Sequence, residues 1–370
     1  SMMLPPPPKT LGRLGDVFTS ALNAVLGKEN KLSLPKKQSI IVLMVDGLGV
    51  SNLEQAGGHA RFLNSQSIEK AGCFFPATTS TSLSSLLTGG KPWETGFVGY
   101  LVLDRETKTS MNLLTGWSGF EQGEAFQSLP TVAEVAAQNE VEFHVVSLPS
   151  YELSGLTGAT TRGAEFHGIS DLDERFAKAK TLVASGAPKL VYLYVPELDQ
   201  IAHAFGSKSL KWLNELEYLD STIRKLAETI PKNAGLIVTA DHGVLDIPYE
   251  SHIYLDEFMD ETHFDYVGGD TRGLFLYFKE GSNKSESIVR IEEQYSDIAW
   301  TITPDEMITA GYWQDTPRLR RFAPDAILLA RKSVALFHRS FARKKSLGNI
   351  GHHGSITPEE LSIPIIRINF

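Results

Sequence analysis

The sequence is poor in three features that would assign it to a specialised class of protein. It has a single cysteine, Cys73, which excludes an intrachain disulfide framework and suits a reducing compartment. It has no apolar run of about 18 residues and no signal-peptide pattern, so we predict a cytoplasmic protein without a membrane partner. It also has no excess of positive charge. Its 35 basic and 44 acidic side chains give a net charge of -9, which argues against nucleic-acid polymers as partners.

What remains is the composition of a globular protein, with 42% hydrophobic and 21% charged residues over 370 positions. Continuous apolar runs, typical of strands buried on both faces, alternate with stretches of helical periodicity. The predicted strands are 39–45, 141–148, 190–195 and 234–240, and the predicted helices are 129–139, 169–185 and 209–230. This alternation predicts an α/β fold, a three-layer sandwich with a mostly parallel central sheet and helices on both faces.

Beyond the last predicted strand the alternation becomes irregular. Strand-like runs at 272–279 and 325–330 flank a helix-like stretch at 284–296. We therefore interpret residues 1–370 as a single domain in which residues 250–322 form an inserted cap or an appended α+β portion. Such a portion would lie over a site and shape its specificity.

Acidic and imidazole side chains follow the predicted strands. In open parallel sheets the ligand crevice lies beyond the carboxyl ends of the strands, so residues at these ends converge on one rim. The residues concerned are Asp46 after the first strand, Asp199 and His203 after the third, and Asp241 and His242 after the fourth. We therefore expect the rim to hold three carboxylates and two imidazoles.

The spacing of these residues also has simpler explanations. Asp199 and His203 stand at i and i+4, where a helix would present both to one ion, but they also fit a solvated pair. The Asp-His pair after the fourth strand precedes a glycine at a sharp turn, where the aspartate could act only as a turn cap. Two further histidines, His352 and His353, lie in a glycine-flanked loop that either faces solvent or completes a metal shell.

The stretch FFPATTSTSLSSLLTGG, residues 74–90, carries eight hydroxyl side chains. Ser and Thr before an apolar run are typical of a helix N-terminus, because their oxygens accept unpaired backbone N–H groups. A nucleophilic threonine, Thr78 or Thr79, is the second interpretation, since a helix start would also bind a phosphate through its N–H groups. A threonine hydroxyl is too weakly acidic at neutral pH to attack, so a metal ion would have to lower its pKa.

The three aspartates and two histidines at the strand ends, together with one histidine of the glycine-flanked loop, make two sets of three metal ligands. Each set is about right for tetrahedral zinc with one open position. Two ions ~3.5–4 Å apart can hold the attacking and leaving oxygens of an in-line phosphoryl displacement. The strand ends, the histidine loop and the hydroxyl-rich helix start therefore indicate the same chemistry.

These motifs, in their order along the chain, resemble the alkaline phosphatase superfamily and, within it, the nucleotide pyrophosphatase/phosphodiesterase branch. The matching stretches are VLMVDGLG, FFPATTSTSLSSLLTGGKPWETGFVGY, VPELDQIAHAFG, TADHGV and GHHGSITPEEL. They cover nearly the whole chain, so the resemblance implies one catalytic domain with the alkaline phosphatase-like fold.

The resemblance implies two zinc ions, although donor sets of this kind also accept manganese or iron. The implied ligands are Asp46, Thr79, Asp241 and His242 for one ion and Asp199, His203 and His353 for the other. Counting back from LLTG matches Thr79 rather than Thr78 to the family nucleophile. The histidine directly before the second glycine of GHHG favours His353 over His352. Asn112 loosely matches a side-chain amide that helps to bind the phosphate.

By the same resemblance we expect a hydrolase that cleaves phosphodiester or pyrophosphate bonds of a small-molecule phosphate ester through a covalent phospho-threonine. STSLSS follows Thr79 where many nucleotide-cleaving members carry a different run, which weakens the case for nucleotides. A phosphomonoesterase or a phosphonate carbon–phosphorus hydrolase is the alternative. A monoesterase would need a further cation near the phosphate, for which Arg162 and Arg272 are candidates. A catalytically silent metal-binding interaction protein is the third interpretation.

Overall fold

The structure is a computed structural model that describes residues 3–115, 120–184 and 186–370. Its strands form two large sheets and two short ladders. The strands are β1 (Ser39–Val45), β2 (Ile68–Gly72), β3 (Leu101–Asp104), β4 (Thr109–Asn112), β5 (Glu142–Ser147), β6 (Glu165–Gly168), β7 (Lys189–Val195), β8 (Ala234–Thr239), β9 (Leu245–Asp246), β10 (His252–Tyr254), β11 (Phe264–Asp270), β12 (Gly273–Phe278), β13 (Ala299–Ile302), β14 (Ala326–Ala330), β15 (Ala335–Phe337), β16 (Gly351–His352) and β17 (Ser362–Ile368).

Helices connect most of these strands. They are α1 (Asp16–Val25), α2 (Val50–Ala56), α3 (Arg61–Ser65), α4 (Thr79–Thr88), α5 (Pro92–Thr95), α6 (Phe120–Phe126), α7 (Val132–Gln138), α8 (Gly155–Thr160), α9 (Leu172–Val183), α10 (Glu197–Phe205), α11 (Leu210–Thr229), α12 (Lys284–Tyr295), α13 (Pro304–Ala310), α14 (Pro317–Phe322), α15 (Lys344–Leu347) and α16 (Pro358–Leu361). The three predicted helices are α7, α9 and α11, and each begins after a side chain that accepts a backbone N–H. None of the helices in the described residues is long and apolar enough to cross a lipid bilayer.

The seven-stranded sheet has the strand order β2-β17-β8-β1-β7-β5-β6. The five strands from β8 to β6 are mutually parallel, whereas β17 runs antiparallel to both of its neighbours. The four strands predicted from apolar runs are β1, β5, β7 and β8, and they lie side by side in its middle. Every residue of β1, β7 and β8 is buried, as expected for strands covered on both faces. The protein is thus a mixed α/β fold with a mixed central sheet.

The six-stranded sheet has the order β13-β14-β12-β11-β3-β4 and is antiparallel throughout. Its strands come from the region interpreted as an α+β portion and also from residues 101–112 and 326–330. That region therefore shares its sheet with segments on both sides of it in the sequence.

Side chains of both sheets meet in one buried apolar cluster. Phe275 and Leu329 of the antiparallel sheet belong to the same cluster as Ile41 and Leu193 of the central sheet. Leu276, one position from Phe275, belongs to a second cluster on the other side of β12. Alternate residues of a strand point to opposite faces, so one face of the antiparallel sheet packs against the central core. The end of β11 also reaches the start of α4, where Thr78 donates to Asp270.

Candidate active site

The predicted site residues meet at the carboxyl edge of the central sheet. Asp46 follows β1, and Asp241 and His242 follow β8. Asp199 and His203 lie on α10, directly after β7, with an Oδ2–Nε2 distance of 3.1 Å. These loops meet because β7, β1 and β8 are adjacent parallel strands in register.

Asp46, Thr79, Asp241 and His242 form the first group of donors. The Thr79 hydroxyl lies 3.3 Å from Asp46 Oδ2 and 3.3 Å from His242 Nε2. His242 Nε2 lies 3.4 Å from Asp46 Oδ1 and 3.5 Å from Asp241 Oδ2. All four side chains are buried, so their polar atoms face one another rather than bulk water.

Asp199, His203 and His353 form the second group, with ligand atoms within 4.8 Å of one another. Asp199 also lies within that distance of Asp46 and His242, so the two groups adjoin. The rings of His242 and His353 stack with their centroids 3.6 Å apart. The structure thus brings together all seven residues that the resemblance implied as ligands, with His353 and not His352 in the second group.

Backbone carbonyls orient the three imidazoles. The Nδ1 atom of His203 lies 2.9 Å from Gly351 O, that of His242 2.9 Å from Gly243 O, and that of His353 2.7 Å from Ala77 O. A carbonyl only accepts, so each Nδ1 carries a proton, and in the neutral ring Nε2 then has the free lone pair. This is the tautomer that metal-binding histidines adopt.

The positive charge beside the three carboxylates of the site is too small to offset burial at Asp46 and Asp241. Burial, together with the charge of Asp199, raises the pKa of Asp46 to about 7, and burial, together with the charge of Asp46, raises the pKa of Asp241 well above its usual range. Burial also acts on Asp199, but the His203 imidazole outweighs it and lowers the pKa of Asp199. Within the described residues, Asp199 Oδ1 and Asp241 Oδ2 are buried without a hydrogen-bond partner. The nitrogen and oxygen donors therefore fit divalent metal ions, which would supply the missing charge.

The hydroxyl-rich stretch divides into structural and site residues. Thr78 is the N-cap of α4 and Thr79 its first residue. The next three hydroxyls bind backbone carbonyls, through Ser80 to Gly99 O, Thr81 to Phe97 O and Ser82 to Asp241 O, at 2.7–3.0 Å. Thr78 donates to Asp270. Of the five, Thr79 is the one whose hydroxyl lies within 3.5 Å of the side chains of Asp46 and His242.

Four predicted candidates lie outside these groups. His352 donates from Nε2 to Asn349 O and accepts from Thr271, and burial lowers its pKa to about 3. Asn112 lies at the end of β4, where its side-chain oxygen Oδ1 accepts from the backbone N–H groups of residues 114 and 115. Asn112 is not among the described residues that line the site cavity. Arg162 binds Glu134 and backbone carbonyls, and Arg272 is buried against Glu360. Neither arginine faces the site.

Two residues that the sequence did not predict contact the site. Tyr194 donates to Asp46 Oδ2 at 2.5 Å from within β7. Asp270, at the end of β11, accepts from Thr78, keeps a buried Oδ2 without a partner among the described residues, and has its pKa raised to about 7 by burial. A tyrosine near the end of an apolar strand was the available signal for Tyr194. No predicted strand preceded Asp270.

A cavity of about 630 Å³ opens above Asp46 and Thr79. Its walls include apolar and aromatic side chains, among them Leu83, Leu114, Phe166, Tyr151 and Tyr194. Arg343 and Lys345 also line it, and Arg343 donates to Tyr100 Oη at 2.8 Å. The cavity can hold a phosphate at the donor groups with a larger organic substituent beside it.

A buried threonine hydroxyl at a helix start lies within one of two adjoining donor groups at the edge of an α/β sheet, and the family match over most of the chain makes the protein a hydrolase of phosphoric esters. Residues 40–355 match the type I phosphodiesterase/nucleotide pyrophosphatase family, and the chain belongs to that family. No curated protein is significantly similar to the chain in sequence.

Solved structures share the fold. Human ectonucleotide pyrophosphatase/phosphodiesterase 5 superposes with a TM-score of 0.71 at 16% identity over 90% of each chain. The murine counterpart, an inactive threonine-to-alanine variant in complex with AMP, gives 0.67 at 16% identity over 88% of this chain and 87% of that one. Phosphonoacetate hydrolase from Sinorhizobium meliloti 1021, in complex with phosphonoformate, gives 0.66 at 18% identity over 90% of each chain. Thus a protein named as a pyrophosphatase/phosphodiesterase and one named as a phosphonate hydrolase share this fold.

Proposed function

We propose that the protein hydrolyses phosphodiester or pyrophosphate bonds of a small-molecule substrate, with Thr79 as the nucleophile. The observation that carries this proposal is the position of the Thr79 hydroxyl, 3.3 Å from both Asp46 Oδ2 and His242 Nε2 at the first residue of α4. The murine neighbour, described as inactive when a threonine is replaced by alanine, supports the same assignment.

Two divalent cations, zinc first with manganese or iron also compatible, fit the two donor groups. The residues that would hold them are Asp46, Thr79, Asp241 and His242 for one and Asp199, His203 and His353 for the other. Bound there, the ions supply Lewis-acid charge that lowers the pKa of the Thr79 hydroxyl and offsets charge on the reacting phosphate. The orphaned oxygens of Asp199 and Asp241 support this arrangement.

Residues of the protein position the reacting atoms and supply the nucleophile. Thr79 gives up its hydroxyl proton to water and Oγ1 bonds to phosphorus, while the bond from phosphorus to the leaving oxygen breaks and that oxygen departs with its electron pair, to be protonated by water; Thr79 then carries the phosphoryl group with its remaining substituent. Backbone N–H groups in the first turn of α4, which have no intrahelical partners, bind the phosphate oxygens. Water then hydrolyses the phospho-threonine and restores Thr79. Tyr194 holds Asp46 in place throughout.

A second candidate, a phosphonate hydrolase, is favoured by the two cations that line the cavity. Arg162 and Arg272 are engaged elsewhere, whereas Arg343 and Lys345 contribute to the cavity wall. They suit a substrate with a second anionic group, such as the other phosphate of a pyrophosphate or the carboxylate of a phosphonate. A phosphomonoesterase, whose cation must lie close to the reacting phosphate, has less support.

We also propose that the chain forms one three-layer catalytic unit with residues 250–322 as part of its cover. Residues Val267 to Thr271 and Leu274 line the cavity, which supports a role for this portion in substrate choice. The apolar cluster shared by the two sheets supports a single unit.

The test compares kcat/KM for bis(p-nitrophenyl) phosphate, p-nitrophenyl phosphate and phosphonoacetate on metal-loaded protein. We expect the diester to be preferred and Thr79→Ala to lose about 10³-fold or more. Thr78→Ala is the matched control, because it removes the neighbouring hydroxyl, and should retain activity within about tenfold. With the diester, acid-quenched enzyme should yield a peptide that carries a p-nitrophenyl phosphoryl group on Thr79. Full activity of Thr79→Ala would reject the mechanism, and a phosphonoacetate preference would select the second candidate.

A further inference from the structure

A cluster of histidine and glutamate side chains lies on the central sheet, on the face away from the cavity. In parallel β5 and β6, His144 stands opposite Glu165, and His167 is two positions further along β6. The intervening residues Val145 and Phe166 line the catalytic cavity. Successive residues of a strand point to opposite faces, so the cluster and the cavity occupy the two sides of the same pair of strands.

The three side chains converge on one point. His144 Nδ1 lies 2.9 Å from His167 Nε2 and 3.5 Å from Glu165 Oε2, and His167 Nε2 lies 4.0 Å from Glu165 Oε1. The His144 side chain is 4% exposed and that of His167 14%, whereas Glu165 is 67% exposed. Two buried nitrogens thus face each other beneath a carboxylate that solvent can reach, which leaves an entry path for an ion.

A second carboxylate sets the tautomer of His144. Glu142 Oε1 accepts from His144 Nε2 at 3.0 Å, so the proton of the neutral ring is on Nε2 and the Nδ1 lone pair points at the cluster. Lys189 Nζ lies 3.9 Å from Glu142 Oε2, on the other oxygen of the same carboxylate. Carboxylate–histidine pairs of this kind orient the ligands of transition metals.

We propose that His144, Glu165 and His167 bind one zinc-type transition-metal ion, separate from the active site. Two imidazoles and a carboxylate are a donor set that suits tetrahedral Zn²⁺, with the fourth position open to water. The ion links the edge strand β6 to β5, and thereby stabilises the strands that carry Val145 and Phe166 in the cavity wall. Without metal, the same 2.9 Å contact is a hydrogen bond between the two imidazoles, which is the competing outcome.

The experiment measures zinc content and thermal stability of the full chain after dialysis against limiting zinc. His167→Gln should lower the zinc content by one equivalent and reduce the rise in Tm on zinc addition, while kcat with bis(p-nitrophenyl) phosphate is retained. His263→Gln, an exposed histidine beside Asp260, is the matched control and should change neither. Glu165→Gln provides a second variant at an exposed position, should His167→Gln fold poorly, and should weaken zinc binding at least tenfold.

A cobalt titration separates this site from the active site. His353→Ala should weaken cobalt binding at the second donor group of the active site but leave the absorption band of the sheet-edge site, and His167→Gln should do the reverse. Equal zinc content and equal Tm response in wild type, His167→Gln and Glu165→Gln would overturn the proposal and leave the imidazole hydrogen bond. Loss of activity in His353→Ala bears on the proposed function alone.

Discussion

At the scale of single residues, the site depends on hydrogen bonds that orient its donors. The imidazoles of His203, His242 and His353 are each held by a carbonyl at Nδ1, and Asp46 is held by the phenol of Tyr194. Burial and the charge of Asp46 raise the pKa of Tyr194 well above its usual range, so the phenol stays protonated and keeps donating. Tyr194 acts through Asp46 and is therefore a positioning residue.

Replacing Tyr194 by phenylalanine tests this role. Tyr194→Phe should reduce metal affinity or kcat/KM about 10–100-fold, because an unheld Asp46 carboxylate turns away from its productive position. Tyr192→Phe is the matched control two residues away in β7, since its buried hydroxyl has no partner among the described residues. Metal titration and kinetics of both variants make the comparison. Equal effects of the two substitutions would mean that the phenols contribute only to packing.

The residue scale also separates what sequence could predict from what it could not. Asp46, Asp241 and His242 were predictable because they directly follow recognisable apolar strands, and neighbouring parallel strands end at the same edge of the sheet. Asp270 was not predictable, because its strand β11 contains two glycines and a tyrosine rather than an apolar run. Its contact with Thr78 joins positions in different sheets, and local periodicity carries no information about such a pairing.

At the scale of elements, the short turn after β8 positions Asp241 and His242 because it packs closely against a neighbouring stretch of the backbone. Gly243 follows His242 between β8 and β9, and a Cβ atom there would lie 1.8 Å from Glu359 O. The Gly243 backbone also donates to Glu360 O at 2.9 Å. Only a residue without a side chain lets the loop with Asp241 and His242 approach the chain before β17 this closely.

The substitution Gly243→Ala should therefore destabilise the protein by about 1–3 kcal/mol or more, through a backbone clash that no rotamer relieves. Gly58→Ala is the control, because nothing lies within 4 Å of its Cβ position. Urea unfolding of both variants measures the difference. A Gly243→Ala protein as stable as Gly58→Ala would show that the loop moves aside at no cost.

At the scale of the whole molecule, one buried ion pair ties the antiparallel sheet to the loop that carries His353. Arg272, between β11 and β12, contacts both oxygens of Glu360 at 3.0 and 3.1 Å. Glu360 also accepts from the Ser355 backbone and the Thr357 hydroxyl. The pair thereby connects the second sheet to a ligand of the second donor group.

Removing one partner of this pair should be costly. Glu360→Gln leaves the Arg272 guanidinium buried without its counter-ion, and we expect a loss of about 3–5 kcal/mol in the free energy of unfolding. Glu54→Gln breaks the exposed pair with Lys70 and should cost about 0–1 kcal/mol. Chemical denaturation compares the two variants. A loss no larger than that of Glu54→Gln would indicate that water reaches Arg272 and replaces the carboxylate.

The fold was predictable in its interior and less so at its margin. Four neighbouring strands of the central sheet were recognisable as continuous apolar runs, because both of their faces are covered. β17 was missed: Pro364 interrupts SIPIIRI, and proline argues against an interior strand. In the structure Pro364 stands opposite Lys70 of β2, and its carbonyl accepts from Thr239 of β8. The pairing of β17 with β2 and β8 thus outweighs the local preference of proline against an interior strand.

The place of β17 also bears on how the protein is made. A ribosome synthesises residues 362–368 long after β2 and β8, yet β17 lies between those two strands and is the partner through which β2 joins the sheet. Until β17 has been synthesised, β8 presents an unpaired edge, and such edges invite pairing with other chains. Nascent chains that stall before residue 362 should therefore depend on chaperones and be the first to aggregate, and they cannot yet enclose the active site.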